Sequence, residues 1–329
     1  MNNSNKYVRM FSNCIPVLGK DKSVIYDLQR KQMFNIPNDL YSFIQLFEEY
    51  TISEIFELCG KDNEQVVEEY LQFLTNKELT FLIDKEELEL FPKLSMKWTF
   101  PAKISNAIIE ISEITYPLFE KILAYLTALG CEYLYLKIDA PKSFLLMKDI
   151  MEKLTISSIF SVVFETPFNE GKKITDYEQL IVENKRIETI FLLSDEQLKT
   201  SSSKILITSP KQFVNKKEYF FKINISLFTE SQKYNTYFNK KIFINKEGGV
   251  LNAPETEELF GNITRLKLKE LEAVVDSEQF QKYWSVNKDV IDECKDCELR
   301  YMCVDNRVPK QSKEGSYFFT SKCELRALN

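Results

Sequence analysis

Cys294, Cys297 and Cys303 form a C-x2-C-x5-C run, and Cys323 follows after 19 further residues. Four sulfurs so close to one another in sequence can complete a tetrahedral zinc site or hold a four-iron cluster, since both take soft thiolate ligands and neither needs histidine. The spacing leans toward iron-sulfur, because structural zinc ribbons tend to present two short C-x2-C pairs; zinc and four plain thiols stay open. The chain has no histidine anywhere. That excludes Ser-His-Asp and Cys-His nucleophile systems, HExxH zinc sites and imidazole general bases. Cys14, Cys59 and Cys131 are scattered among apolar residues and read as core thiols. With no signal-peptide core and no apolar run of 18 residues, the expected location is cytoplasmic, where thiols and metal ligands are commoner than disulfides.

A length of 329 residues, 44% of them hydrophobic and 28% charged, allows about two domains, or one barrel-sized domain plus a small module. Eight glycines, none in a G-x-G-x-x-G or Walker arrangement, argue against a loop that cradles phosphate.

Residues 1–92 read as a compact module. Strands are expected at 7–17, 23–28 and 32–36, helices at 37–47 and 51–59, and a third helix after Asn63 with Val66, Val67, Tyr70, Leu71 and Leu74 on one face. A strand-like 79–83 completes a winged-helix pattern. This stretch carries 9 Lys and Arg against 16 Asp and Glu, a net charge of -7. Displacing counterions from phosphates calls for a basic surface, so nucleic acid is not the expected partner. Capture of an extended peptide as an added strand is the better use of the pattern. Lys31, Gln32, Met33, Phe34, Asn35 and Ile36 would pair with the peptide, and Val67, Tyr70 and Leu71 would line its groove. Glu64, Glu68 and Glu69 either attract a basic peptide or form a solvated helix face.

The Pro- and aromatic-bearing stretch 91–101 marks a boundary. Beyond it strand-like runs at 106–111, 133–138, 159–164, 189–193, 205–207 and 220–223 alternate, at first, with helices at 116–129, 143–154 and 176–183. Such alternation predicts an α/β fold with a parallel sheet, open or partly closed as a barrel. Asp139, Glu165 and Asn224 fall at expected strand ends, where ligands gather in such folds. From 234 onward come a hairpin at 240–252, the run Leu259-Phe-Gly-Asn-Ile263, a helix at 267–275, and then the cysteines.

The hairpin, Phe260-Gly-Asn-Ile263, the helix and the C-x2-C-x5-C run together resemble the SPASM domain that follows the barrel of peptide-modifying radical-SAM enzymes. That resemblance implies one [4Fe-4S] cluster on Cys294, Cys297, Cys303 and Cys323, with structural zinc as the alternative. The family's other auxiliary cluster lacks its ligands here: Arg307 stands at the C-x3-C position, Asn252 follows the hairpin, and 234–237 holds no cysteine. No C-x3-C-x2-C triplet occurs either, and 106–111 leads through 112–115 almost directly into a helix. Neither S-adenosylmethionine binding nor the usual radical initiation is therefore expected.

The N-terminal module in turn resembles the PqqD-like recognition elements that bind precursor leaders. Over nearly its full length, with Ile36-Pro-Asn-Asp-Leu40, Phe260-Gly-Asn262 and 294–305 the most specific segments, the chain is similar to the SPASM-domain maturases of grasp-with-SPASM systems. The resemblance implies three parts: a leader-recognition element at 1–92, a degenerate radical-SAM-like partial β/α barrel at 93–233, and a SPASM/twitch-like cysteine domain at 234–329. It implies an accessory protein in the biosynthesis of a ribosomally synthesised, post-translationally modified peptide (RiPP), which binds the precursor leader and presents it to an ATP-grasp ligase. The alternative is a peptide-modifying enzyme that uses the iron-sulfur site or the barrel mouth. No nucleic acid or membrane is expected as a partner, and homo-oligomerisation stays open. A metal-sensing transcription regulator is disfavoured by the acidic module.

Overall fold

A computed structural model describes residues 3–140, 142–169, 171–213 and 223–323. In the N-terminal part, β1 (Tyr7–Met10), β2 (Cys14–Val17), β3 (Ser23–Asp27), β4 (Gln32–Ile36) and β5 (Thr80–Ile83) divide between two sheets. β2, β3 and β4 form an antiparallel sheet in that order, and β5, the expected wing, pairs instead with β1. The turn between β3 and β4 is built by Asp27, whose Oδ1 accepts the backbone N–H of Gln29 and Arg30 and the amide of Asn13. Lys31 then takes a φ of 57° to reverse the chain.

The helices are α1 (Asn38–Ile44), α2 (Ile52–Cys59) and α3 (Glu64–Asn76). A Thr51/Glu54 capping box starts α2. α1 stops at Ile44, short of the expected 47, because the next three N–H groups bond three residues back and the helix tightens into turns. Ile25, Leu40, Phe43, Ile55, Val67 and Leu74 close the core.

The second layer is a seven-stranded sheet in the order β10-β9-β8-β7-β6-β11-β12. β6 (Asn106–Ile111), β7 (Tyr133–Ile138), β8 (Ser161–Pro167), β9 (Ile187–Leu193) and β10 (Ile205–Thr208) are parallel, as the alternation predicts. β11 (Lys241–Ile244) runs parallel to β6 on its other side, and β12 (Val250–Leu251) folds back antiparallel. The expected hairpin at 240–252 thus forms, but its first strand belongs to the main sheet. All four residues of β11 are buried, and such a strand needs cover on both faces. The strand expected at 220–223 falls almost wholly outside the described residues.

One face of the sheet, carrying Ala107, Ile109, Leu134, Leu136, Phe164 and Ile190, packs on α4 (Phe119–Ala128), α5 (Ser143–Lys153) and α6 (Ile174–Glu183) through Phe119, Ile122, Met147, Ile150 and Tyr177. The other face presents Ile108, Glu110, Tyr135, Lys137, Val163 and Glu165, all only half-buried. α7 (Pro210–Phe213) and α8 (Ile225–Ser231) lie between β10 and β11, and α9 (Leu268–Val275) follows β12. Two-residue strands β13 (Lys310–Gln311) and β14 (Tyr317–Phe318) make a small hairpin near the end. Among the described residues no helix is long and apolar enough to cross a membrane.

The N-terminal sheet is docked on the cysteine run. Tyr26 Oη donates to the Glu298 carbonyl at 2.9 Å, Lys20 N–H to the Asp296 carbonyl at 2.8 Å, and the Arg300 guanidinium to the Leu18 carbonyl at 2.7 Å. Gly19 lies in this seam, where an added Cβ would stand 2.3 Å from the Lys22 carbonyl oxygen and 2.9 Å from Glu298 Cβ. Gly19→Ala is therefore expected to cost about 1–3 kcal/mol, as for other overpacked sites, read from urea midpoints. An unchanged midpoint would show that the turn opens freely.

Candidate metal centre

Residues 288–305 follow the sheet as a chain of tight turns. The N–H of Cys294 bonds the Ile291 carbonyl, that of Cys297 the Cys294 carbonyl, and that of Arg300 the Cys297 carbonyl. These turns set the first three cysteines along one wall. The fourth is brought over by β14: Ile291 bridges Tyr317, the Asp292 N–H bonds the Tyr317 carbonyl at 2.9 Å, and the Phe319 N–H bonds the Glu293 carboxylate at 3.2 Å. Cys294, Cys297, Cys303 and Cys323 consequently line one cleft, together with Lys288, Glu293, Leu299, Arg300 and Asp305. A 19-residue gap in sequence is closed by backbone pairing.

The chemistry of the donor set fits a thiolate-bound group. Four cysteines line one cleft, with Lys288 and Arg300 in the same lining and Arg307 nearby to balance negative charge. Among the described residues no three Cys, Asp or Glu side chains stand close enough together to hold an ion. Burial pushes the Cys294 thiol up to about 11 and the Cys303 thiol up to about 12, against an opposing pull from the Lys288 charge. A bound metal must therefore displace protons from these sulfurs. Asp305 moves the other way: burial would raise it, but hydrogen bonds from Arg307 and the Lys288 charge hold it at about 2.

Two positions that the family resemblance assigns to a further cluster carry other interactions. Arg307 grips Asp305 and donates to the Ser321 carbonyl at 2.5 Å, and Asn252 Nδ2 donates to the carbonyls of Phe238 and Lys241 at 3.1 and 2.8 Å. At the C-terminal ends of β6 and β11 the connection 112–115 is a closed turn. Ser112 N–H and Oγ both meet Thr115 Oγ1, Ser112 Oγ donates to the Lys246 carbonyl at 2.6 Å, and Glu110 accepts the Lys246 N–H at 3.0 Å.

In the N-terminal module β4 is an edge strand, so 31–36 offers one open side. Lys31, Gln32 and Asn35 are exposed, and Met33 and Phe34 half-buried. Phe34 lies under Lys77 from the end of α3, and Arg30 ties the turn to the carbonyls of Lys77 and Glu78. Tyr70 and Leu71 are half-buried on the same helix. Ile36 and Val67, each 3% exposed, are packed inside the module, so their side chains are not open to a peptide. Glu64, Glu68 and Glu69 are exposed.

The strand-end candidates separate. Glu165 is inside β8 and accepts from Tyr135 Oη at 2.8 Å, Asp139 lies just past β7, and Asn224 caps α8 by accepting the Leu227 N–H. Sequence reasoning missed the groups beside them: Lys241 is buried 3.2 Å from the Tyr237 ring centroid, Tyr237 donates to Glu255 at 2.7 Å, and Glu230 accepts from Asn239 at 2.8 Å. A lysine opening an apolar strand reads as a solvated end, and only pairing with β6 buries it.

Burial raises the Glu230 carboxyl from about 4.5 to about 7. An acid with a raised pKa binds more protons folded than unfolded, so its contribution to stability falls as pH rises through this window. Glu230→Gln, which keeps the Asn239 bond, is expected to stabilise the protein by about 1–3 kcal/mol at pH 8 and to be neutral at pH 4. Equal effects at the two pH values in urea titrations would contradict this.

No protein-family model matches the chain, and no curated protein matches it. Among solved structures it is similar to SuiB of Streptococcus suis bound to S-adenosylmethionine, with 10% identity, a TM-score of 0.32, and 90% of this chain and 94% of that chain covered. SuiB alone gives 10% identity, a TM-score of 0.32 and coverages of 91% and 93%. SuiB bound to the precursor peptide SuiA gives 11% identity, a TM-score of 0.32 and coverages of 90% and 94%. A likeness this distant fixes neither the fold nor the chemistry of the present chain.

Proposed function

We propose that this chain is a peptide-recruiting maturation protein of a RiPP pathway. Its N-terminal module binds a precursor leader along β4, and the body of the protein presents that precursor to an ATP-grasp ligase in the cytoplasm. The observation that carries this reading is the edge position of β4 beside the end of α3, in a module whose other face is docked on the cysteine run. Backbone pairing along the edge supplies affinity, and Phe34, Tyr70 and Leu71 supply an apolar floor for alternate side chains. The net charge of -7 over 1–92 favours a basic leader. In this reading Cys294, Cys297, Cys303 and Cys323 hold one [4Fe-4S] cluster or a zinc ion that knits the C-terminal turns together. The closed turn at 112–115 is consistent with a protein that does not bind S-adenosylmethionine.

Calorimetry with the cognate precursor tests the assignment. Leu71→Asp is expected to weaken binding at least about tenfold, through a charge placed in the groove, while leaving metal content unchanged. Absence of heat with the intact chain, or unchanged affinity in Leu71→Asp, would remove the module from the reading.

A second reading is favoured by the polar face of the sheet, where the Tyr135–Glu165 and Tyr237–Glu255 pairs gather beside the buried Lys241. In it the chain modifies the peptide itself. Anaerobic incubation of reconstituted protein with precursor and S-adenosylmethionine, followed by mass spectrometry, separates the two, since a mass change in the precursor requires the second.

A further inference from the structure

Lys288 is where the charges around the cysteine cleft fail to balance. The residue is 4% exposed, lines the cleft with all four thiols, and its Nζ has no hydrogen-bond partner. The carboxylate nearest to it is Asp305, whose Oδ2 stands 3.5 Å away. That carboxylate is already gripped by Arg307, with N–H bonds of 3.0 Å to Oδ1 and of 3.0 and 2.5 Å to Oδ2. One negative charge thus serves two cations in a place largely shut off from water. Glu293, the other carboxylate of the cleft, is exposed and accepts the Phe319 N–H. The Phe319 ring, 4.8 Å from Nζ, offers a cation–π contact weaker than the hydration the ammonium has lost. An ammonium buried in this way needs more negative charge than a shared Asp305 supplies, and the groups of the cleft that could become anionic beside it are its cysteine sulfurs, two of which, Cys294 and Cys303, feel its charge.

We propose that Lys288 is the counter-cation of a thiolate-bound group, donating hydrogen bonds to its sulfurs and offsetting their charge. The inference rests on the reading of Cys294, Cys297, Cys303 and Cys323 as ligands. Four thiolates around zinc(II) or a four-iron cluster leave a net negative charge, and in this cleft that charge meets an ammonium whose own needs are unmet. The same group is thus a burden in the stripped protein and a support in the loaded one. Groups outside the ligand set that hydrogen-bond to ligands tune affinity in this manner.

Lys288→Met keeps length and apolar bulk and does not orphan Asp305, because Arg307 still holds it. The full-length wild type, Lys288→Met and Lys288→Arg are each compared loaded with zinc(II), reconstituted anaerobically with iron(II) and sulfide, and stripped by chelator. For Lys288→Met the melting temperature is expected to rise in the stripped form and to fall in the loaded form, and metal affinity in chelator competition to drop about 10- to 100-fold. In the iron-loaded form the reduction potential falls, since a cation beside the cluster is gone. Lys288→Arg restores affinity and potential. Shifts of one sign in both forms, with affinity unchanged, would reduce Lys288 to a packing residue and overturn the proposal. A wild type that takes up neither metal overturns the ligand reading itself, and it does so before any variant is compared.

Discussion

Cys303→Ser is expected to abolish stable metal loading. The half-buried Cys303 lines the cleft with Cys294, Cys297 and Cys323, so its loss leaves three candidate ligands and an opening. In the wild type, loading should raise stability by RT ln(1 + [L]/Kd), about 4 kcal/mol at a thousandfold excess over Kd. The variant should lose nearly all of that gain, while its stripped form melts close to stripped wild type. The comparison is made by metal analysis and by melting with and without chelator. A brown protein with thiolate-to-iron absorption identifies a cluster, and a colourless one with stoichiometric zinc a structural knot. Full metal content and an unchanged loading shift in Cys303→Ser would remove the cysteines from the account.

Met302→Ala is expected to cost about 2–5 kcal/mol, the range for emptying a packed methionine site. Met302 is fully buried in a small core shared by two distant parts of the chain: Val17, Val24, Tyr26 and Leu28 from the N-terminal sheet, with Phe228 beside Tyr301. Because its neighbour Cys303 belongs to the cleft, the residue links the centre to β3, the strand paired with β4. Hydrogen exchange at 23–27 and 32–36 should quicken in the variant. A loss under about 1 kcal/mol, with exchange unchanged, would mean that the two parts only touch.

The elements of the molecule were largely legible because their periods are strong. Alternation in Asn106–Ile111 and Tyr133–Ile138 marks two strands with their observed limits, and Gln32–Ile36 is likewise a strand as read. Val67, Tyr70, Leu71 and Leu74 lie on the inward face of α3 as expected, whereas Val66, grouped with them by the periodicity, is 42% exposed. Less was legible where partners come from far away. The pattern makes β5 a wing, yet it pairs with β1, since a four-residue run carries no signal of which edge it will join. Lys241 and Lys288 gave no hint of burial. A single charged residue reads as solvated unless the strand or turn that encloses it is already known.

Residue type and spacing alone set which chemistries are open to this protein: it has no histidine, four clustered cysteines and an acidic module. They set the strand and helix periods too, since these follow from local geometry. Only the tertiary structure decided that β11 enters the central sheet, that Cys323 crosses to the other three thiols through β14, and that the N-terminal sheet seals one side of the cysteine run. It also buried Lys288 in the wall of the cysteine cleft, 3.5 Å from an Asp305 already held by Arg307 and without a hydrogen bond of its own. Those outcomes depend on which apolar faces and backbone edges meet at long range, and burial and charge balance exist only once they have met.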